Sequence, residues 1–160
     1  MSVLVQVFGL INDEESKTPV VILRAVEGEE TLPISIGVAE ATAILIALHG
    51  TEMPRPMTHD LLAGLIQVLG GRLEKVEVVD LREGTFYGML YIRKGRGVVQ
   101  VDCRPSDAIA LALRAKAPIY VRDIVFQKLE PGDVVDASRR HWLSFLQALG
   151  DLEGKKDQMD

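Results

Sequence analysis

The stretch that decides the reading is Val101-Asp102-Cys103-Arg104-Pro105-Ser106-Asp107-Ala108-Ile109-Ala110-Leu111-Ala112-Leu113-Arg114. It begins as a buried strand and ends as an apolar helix, with Pro105 suited to the first helical turn. Two carboxylates, a guanidinium and a hydroxyl fall within six residues at the junction. Hydrophobic segments fold without that density of charge. The charges either hold the turn together or face a ligand.

Around it lies an ordinary globular composition. The chain has 160 residues, enough for one domain with a real core and no metal or disulfide staples. Aromatic residues are only 5%, so the core is built from Val, Leu, Ile and Ala. The net charge of −5 argues against broad binding to duplex nucleic acid, which favours a basic excess, though it leaves room for a local basic patch. A single cysteine, Cys103, rules out an intramolecular disulfide and suits a reducing compartment. Cys103 sits at a strand end and reads as a small buried residue rather than a nucleophile. The N-terminus lacks the pattern of a secretory signal, and the longest apolar run, Ala41 to Leu48, is far short of a membrane span. These features predict a cytoplasmic protein with no membrane partner.

The pattern along the chain predicts strands over 3–11, 19–25 and 31–36, with connections short enough for an antiparallel meander. A small-residue helix follows over 38–48, closed by Gly50 in the left-handed conformation. Pro54 and Pro56 mark an ordered loop, and Thr58 is the expected N-cap of a helix over 59–69. A second meander follows over 72–81, 85–93 and 97–103, then the helix that starts at Pro105, then a short strand at 119–121. Residues 136–149 form an amphipathic pattern with Trp142, Phe145, Leu146 and Leu149 on one side. The expected fold class is α+β: two three-strand antiparallel meanders, each followed by a helix, plus a C-terminal amphipathic helix. The expected division is a domain over 1–131, a helix over 132–150 packing on the domain or on a partner subunit, and a disordered tail over 151–160. The halves share a register. Glu40-Ala41-Thr42-Ala43 matches Asp107-Ala108-Ile109-Ala110 at an offset of 67, which suggests an internal duplication and two related strand-to-helix junctions.

Four runs carry a resemblance. Leu32-Pro33-Ile34-Ser35-Ile36-Gly37, Arg55-Pro56-Met57-Thr58-His59-Asp60-Leu61, Arg82-Glu83-Gly84-Thr85-Phe86-Tyr87 and Asp102-Cys103-Arg104-Pro105-Ser106-Asp107-Ala108 resemble the bifunctional nuclease domain family, in the family's order, across roughly residues 1 to 130. The family takes its name from plant members that cut both DNA and RNA. The resemblance implies an α+β fold, self-association as a homodimer or higher homo-oligomer, nucleic acid as partner, and hydrolysis of phosphodiester bonds. It supplies no residue roles, so these are argued from chemistry.

Phosphodiester hydrolysis needs an activated water and positive charge against the phosphorane-like transition state. Asp102 and Asp107 could activate water or hold Mg²⁺ or Mn²⁺ through oxygen, with Glu40 and Asp60 as further metal carboxylates. Histidine is the side chain suited to proton transfer near neutral pH, and His59 could act as base. Arg104 could clamp a phosphate, with Arg55 and Ser106 as further substrate contacts. Each has a bland counterpart. Asp and Ser near a helix start cap amides, Asp107 and Glu40 suit the helix dipole, and Arg104 and Arg55 could pair with nearby acids. The basic turn Arg93-Lys94-Gly95-Arg96 could touch a nucleic-acid backbone, but a solvated hairpin accounts for it equally well. Two rival functions follow: a non-catalytic interaction or regulatory domain, favoured by the acidic charge, and a small-anion binder using helix N-termini. Convergence of the acids and His59 on one open cleft separates the nuclease from both.

Overall fold

The computed structural model describes residues 1–14 and 17–129. Both meanders are present. Strands β1 (Ser2–Asp13), β2 (Thr18–Ala25) and β3 (Thr31–Ser35) form the first, and β4 (Gly71–Arg82), β5 (Thr85–Lys94) and β6 (Gly97–Cys103) the second. Helix α1 (Val38–His49) follows the first meander and α3 (Pro105–Ala115) the second, with α2 (Thr58–Val68) between the halves. The expected α+β class therefore holds. The sequence-predicted helix over 132–150 and tail over 151–160 lie outside the described residues.

The turns follow from local chemistry. Glu83 and Gly84 both take positive φ in the β4–β5 connection, the backbone hand that matches strand twist. Gly50 closes α1 in the left-handed conformation, as its sequence position predicts. The N-cap of α2 is Met57 rather than Thr58. Asp60 explains the shift, because its Oδ2 accepts the Met57 backbone N–H at 2.9 Å and satisfies the helix start from inside.

The short strand β7 (Ile119–Arg122) has a larger role than its length suggests. It lies between the two meanders and gives one seven-stranded sheet in the order β3-β2-β1-β7-β4-β5-β6. It runs antiparallel to β1 and parallel to β4. A one-and-a-half-turn helix, α4 (Asp123–Lys128), follows it and has no counterpart in the sequence reading. Side chains from both meanders, β7 and the helices share one core, which includes Val21, Leu23, Ile44, Val76, Ile109 and Val121. Strand β2 is buried on both faces, since Val20 and Ile22 alternate away from that core into a second cluster with Phe8 and Ile11.

On the face of β4 opposite the core, Glu77 is only 4% exposed. Its carboxylate accepts hydrogen bonds from the Ser2 hydroxyl, from Tyr91 Oη at 2.8 Å and from an Arg122 guanidinium nitrogen at 2.8 Å. These donors come from β1, β5 and β7, so one side chain ties together the strands where the halves meet. Burial by itself would raise the carboxyl's pKa. The three hydrogen bonds and the Arg122 charge outweigh it, and the group titrates below its ordinary value of 4.5. The stability it adds is complete above pH 4.5 and is lost as pH falls through the lower folded-state value. Hydrogen bonds to a charged group are worth about 1.5–3 kcal/mol, so Glu77→Ala should cost about 3 kcal/mol in urea denaturation. Glu77→Gln should flatten the loss of stability between neutral and acidic pH.

Candidate active site

The two strand-to-helix junctions have the same construction. Gly37 and Arg104 are extended N-cap residues, at φ −75°, ψ 161° and φ −73°, ψ 145°. Three residues further on stand Glu40 and Asp107, each in a first helical turn where a carboxylate complements the helix dipole. The offset of 67 read from the sequence thus becomes a repeat in space. The two junctions also touch. Arg104 places Nη1 2.9 Å from Glu40 Oε1 and Nε 2.9 Å from Asp107 Oδ2, with Nη2 3.2 Å from Asp107 Oδ1. One guanidinium therefore bridges the start of α1 and the start of α3.

A third helix completes the cluster. His59, in the first turn of α2 and 7% exposed, sets Nε2 2.8 Å from Asp107 Oδ1. A neutral imidazole donating from Nε2 keeps Nδ1 as an acceptor. Burial pushes the Asp107 carboxyl up, but the His59 and Arg104 bonds more than reverse this, and it stays ionised below its ordinary value of 3.8. Glu40 is lowered first by its own backbone N–H and then by Arg104. Cys103 moves the other way. Burial, then Asp107 and Asp102, push its thiol up to about 12, so it is a neutral packing residue as its sequence position predicts.

This cluster closes one end of a groove of about 1080 Å³. Leu90 and Ile92 of β5 and Val99 and Val101 of β6 line one side, with Ile46 of α1 and Leu62 and Leu65 of α2 also lining it. Lys94, from the basic hairpin, lines it too. Arg104 remains 65% exposed, and its three ion-pair contacts leave guanidinium N–H groups to spare.

Four of the residues singled out from sequence do not join. Asp60 is adjacent to His59, but successive helix residues diverge, and its Oδ1 pairs with Arg114 Nε at 2.7 Å. Asp102 borders the groove on the edge strand, yet strand alternation sends its side chain to the face opposite Val101 and Cys103. Ser106 is buried in the first turn of α3 and Arg55 is exposed in the loop before α2, and neither lines the groove. The metal-carboxylate expectation meets a specific obstacle. Arg104 stands between Glu40 and Asp107, where a shared cation would sit, and no three His, Cys, Asp or Glu side chains among the described residues are gathered as a ligand set.

The model of the bifunctional nuclease domain matches residues 21–131. The chain belongs to the bifunctional nuclease domain family. An uncharacterized protein of Mycobacterium tuberculosis is 46% identical over 121 residues, which cover 76% of this chain and 72% of that protein. Bifunctional nuclease 1 of Oryza sativa subsp. japonica is 28% identical over 105 residues, 63% of this chain but 32% of the plant protein. Bifunctional nuclease 1 of Arabidopsis thaliana is 26% identical over 107 residues, 64% of this chain and 33% of its own length. The chain thus spans about a third of these plant nucleases and stands nearer in sequence to the bacterial relative. Within this bifunctional nuclease domain, no helix among the described residues is long and apolar enough to cross a membrane.

One residue of the site escapes the sequence reading. Gly88 lies in mid-β5 opposite Cys103. A Cβ there would fall 3.0 Å from the Cys103 carbonyl oxygen, 3.1 Å from Pro105 N and 3.2 Å from the Arg104 carbonyl carbon. The β6–α3 junction therefore lies against a bare backbone, and its only sequence signal is a glycine within an otherwise alternating strand. These neighbours are backbone atoms and yield poorly. Gly88→Ala should cost about 1–3 kcal/mol and disturb the His59–Asp107 pair, measurable as a lower urea midpoint and a shifted His59 side-chain NMR resonance.

Proposed function

We propose that this domain hydrolyses phosphodiester bonds of DNA or RNA at the polar end of the groove. The observation that carries the reading is the His59–Asp107–Arg104 constellation, in which a buried histidine is oriented by a carboxylate beside an exposed guanidinium. Family membership and the names of the plant relatives support it.

The chemistry follows from the side chains. Asp107 holds His59 through Nε2, so Nδ1 is the ring atom left to accept a proton from water or to pass one to the leaving oxygen. Arg104 carries unspent N–H donors for the oxygens on which transition-state charge develops. The groove suits an extended chain. Its cations, Arg104 and Lys94, stand at opposite ends of β6, about 20 Å apart along the strand, with apolar walls between them for base faces. Two carboxylates against one guanidinium leave the end of the groove negative while His59 is neutral. A divalent cation would correct that balance only if Arg104 moved from between Glu40 and Asp107.

A second reading draws on the walls. Leu62, Leu65, Val99 and Val101 line the groove while remaining well exposed, and β6 is exposed from Gly97 to Asp102 at the edge of the sheet. An apolar protein surface, including that of a second copy of this chain, would fit it without any chemistry.

A nuclease assay separates the two. Full-length protein with single- and double-stranded DNA and RNA, in Mg²⁺, Mn²⁺ or EDTA, should cleave at least one substrate. Asp107→Asn and His59→Gln should each lower the rate by about 100-fold or more, with folding checked by circular dichroism. Arg104→Met should lower it while weakening substrate binding. Equal rates in wild type and Asp107→Asn would place the activity elsewhere, and no cleavage under any metal condition would leave the interaction reading.

A further inference from the structure

The two faces of the sheet differ. The helices pack on the face that carries Val76, Leu90 and Val121. The reverse face of β4, β5 and β7 has no helix over it among the described residues, and it collects all three tyrosines of the chain. Tyr87 and Tyr91 stand on it from β5, four residues and about 13 Å apart, and Tyr120 stands on it from β7. Each ring has a cation beside it. Arg82 lies 5.0 Å from the Tyr87 centroid, and Lys75 lies between the other two rings, 4.5 Å from Tyr91 and 5.6 Å from Tyr120. The carboxylates of this face lie beneath its cations. The side chains of Glu77 and Glu74 are 4% and 26% exposed, against 44% and 42% for Arg122 and Arg93, which pair with them. Asp80, at 17%, lies likewise under Arg82, at 65%. Each guanidinium spends only part of its five N–H donors on its acid. The face therefore presents positive charge between aromatic rings, although the chain as a whole carries −5. Asp102, exposed on the edge strand β6, bounds it.

We propose that this face binds single-stranded nucleic acid, with bases on the three tyrosine rings and backbone phosphates on Arg82, Arg93 and Arg122. The chemistry selects the partner. An unpaired base offers a π-face to a ring, and its phosphate offers acceptors to a guanidinium. A duplex keeps its base faces inside the stack and has none to give. A cation–π contact at a partly exposed site is weak, so a base takes the place of Lys75 or Arg82 over a ring and leaves the cation to a phosphate. The face lies on the other side of the sheet from the groove. Binding there is independent of cleavage in the groove.

Full-length protein labelled only on tyrosine supplies the test, because its aromatic NMR spectrum holds the signals of these three rings alone. Oligo(dT) of about 12 nucleotides should shift all three signals saturably, and a duplex of the same length should bind about tenfold more weakly. Tyr87→Leu and Tyr120→Leu should each weaken oligo(dT) binding about tenfold in fluorescence anisotropy, while Tyr120→Phe, which keeps the ring, should bind as wild type does. Arg82→Gln should flatten the slope of log affinity against log salt by about 0.7, the loss of one phosphate contact. Asp107→Asn protein should give the same tyrosine shifts, so a failed nuclease assay and a failed binding face are separate results. Tyrosine signals unmoved by excess oligo(dT), or wild-type affinity in both leucine variants, would overturn the proposal. Signals that shift with protein concentration alone would mean that a second copy covers the face, and would overturn it too.

Discussion

The four residues of β7 are the constraint on which the rest depends. Each meander could form from its own hairpins, but neither covers the helices alone. By pairing with β1 on one side and β4 on the other, β7 turns two sheets into one and fixes the lateral distance between α1 and α3. Ile119 and Val121 are buried on the core face, and Arg122 reaches Glu77 on the other. A strand this short has few backbone hydrogen bonds, so the side chains on both of its faces contribute much of what holds it in place.

That placement creates the site. Glu40 and Asp107 are 67 positions apart, and each has a local reason to exist at a helix start. Only when α1 lies beside α3 can one guanidinium satisfy both. His59 then joins from a third helix, because its neighbour Asp60 is anchored to Arg114 on the far side of α2. The adjacent pair His59–Asp60 works as a hinge pin. One residue secures the helix to α3 from behind and the other presents an imidazole to the groove.

The electrostatic character of the groove is mixed. Its length is apolar, its closed end carries two acids and one arginine, and a lysine stands at the other end. An exposed surface ion pair is worth little, about 0–1 kcal/mol, so a bridge held by an exposed Arg104 is weak evidence for a purely structural role. The part-buried His59–Asp107 contact belongs to a different class, because His59 is withdrawn from water and Asp107 is largely shielded, which strengthens the hydrogen bond between them.

The local elements and the junctions are legible in the chain alone. Alternation specified the strands, glycines and prolines specified the breaks, and the shared register of Glu40 and Asp107 exposed the repeat, because each depends on residues close together in the chain. Residue type also singled out Asp107, Arg104, His59 and Glu40. It could not separate these from Asp102, Asp60, Ser106 and Arg55, since direction is set by strand alternation and helix rotation within the packed fold. Thr58 lost its expected cap role to Asp60 acting from inside the helix. The position of β7, the clamp at Glu77, the close approach at Gly88 and the buried Arg114 emerge only once the elements pack together. Each joins residues many positions apart, and no local propensity encodes which distant partner will satisfy a buried charge.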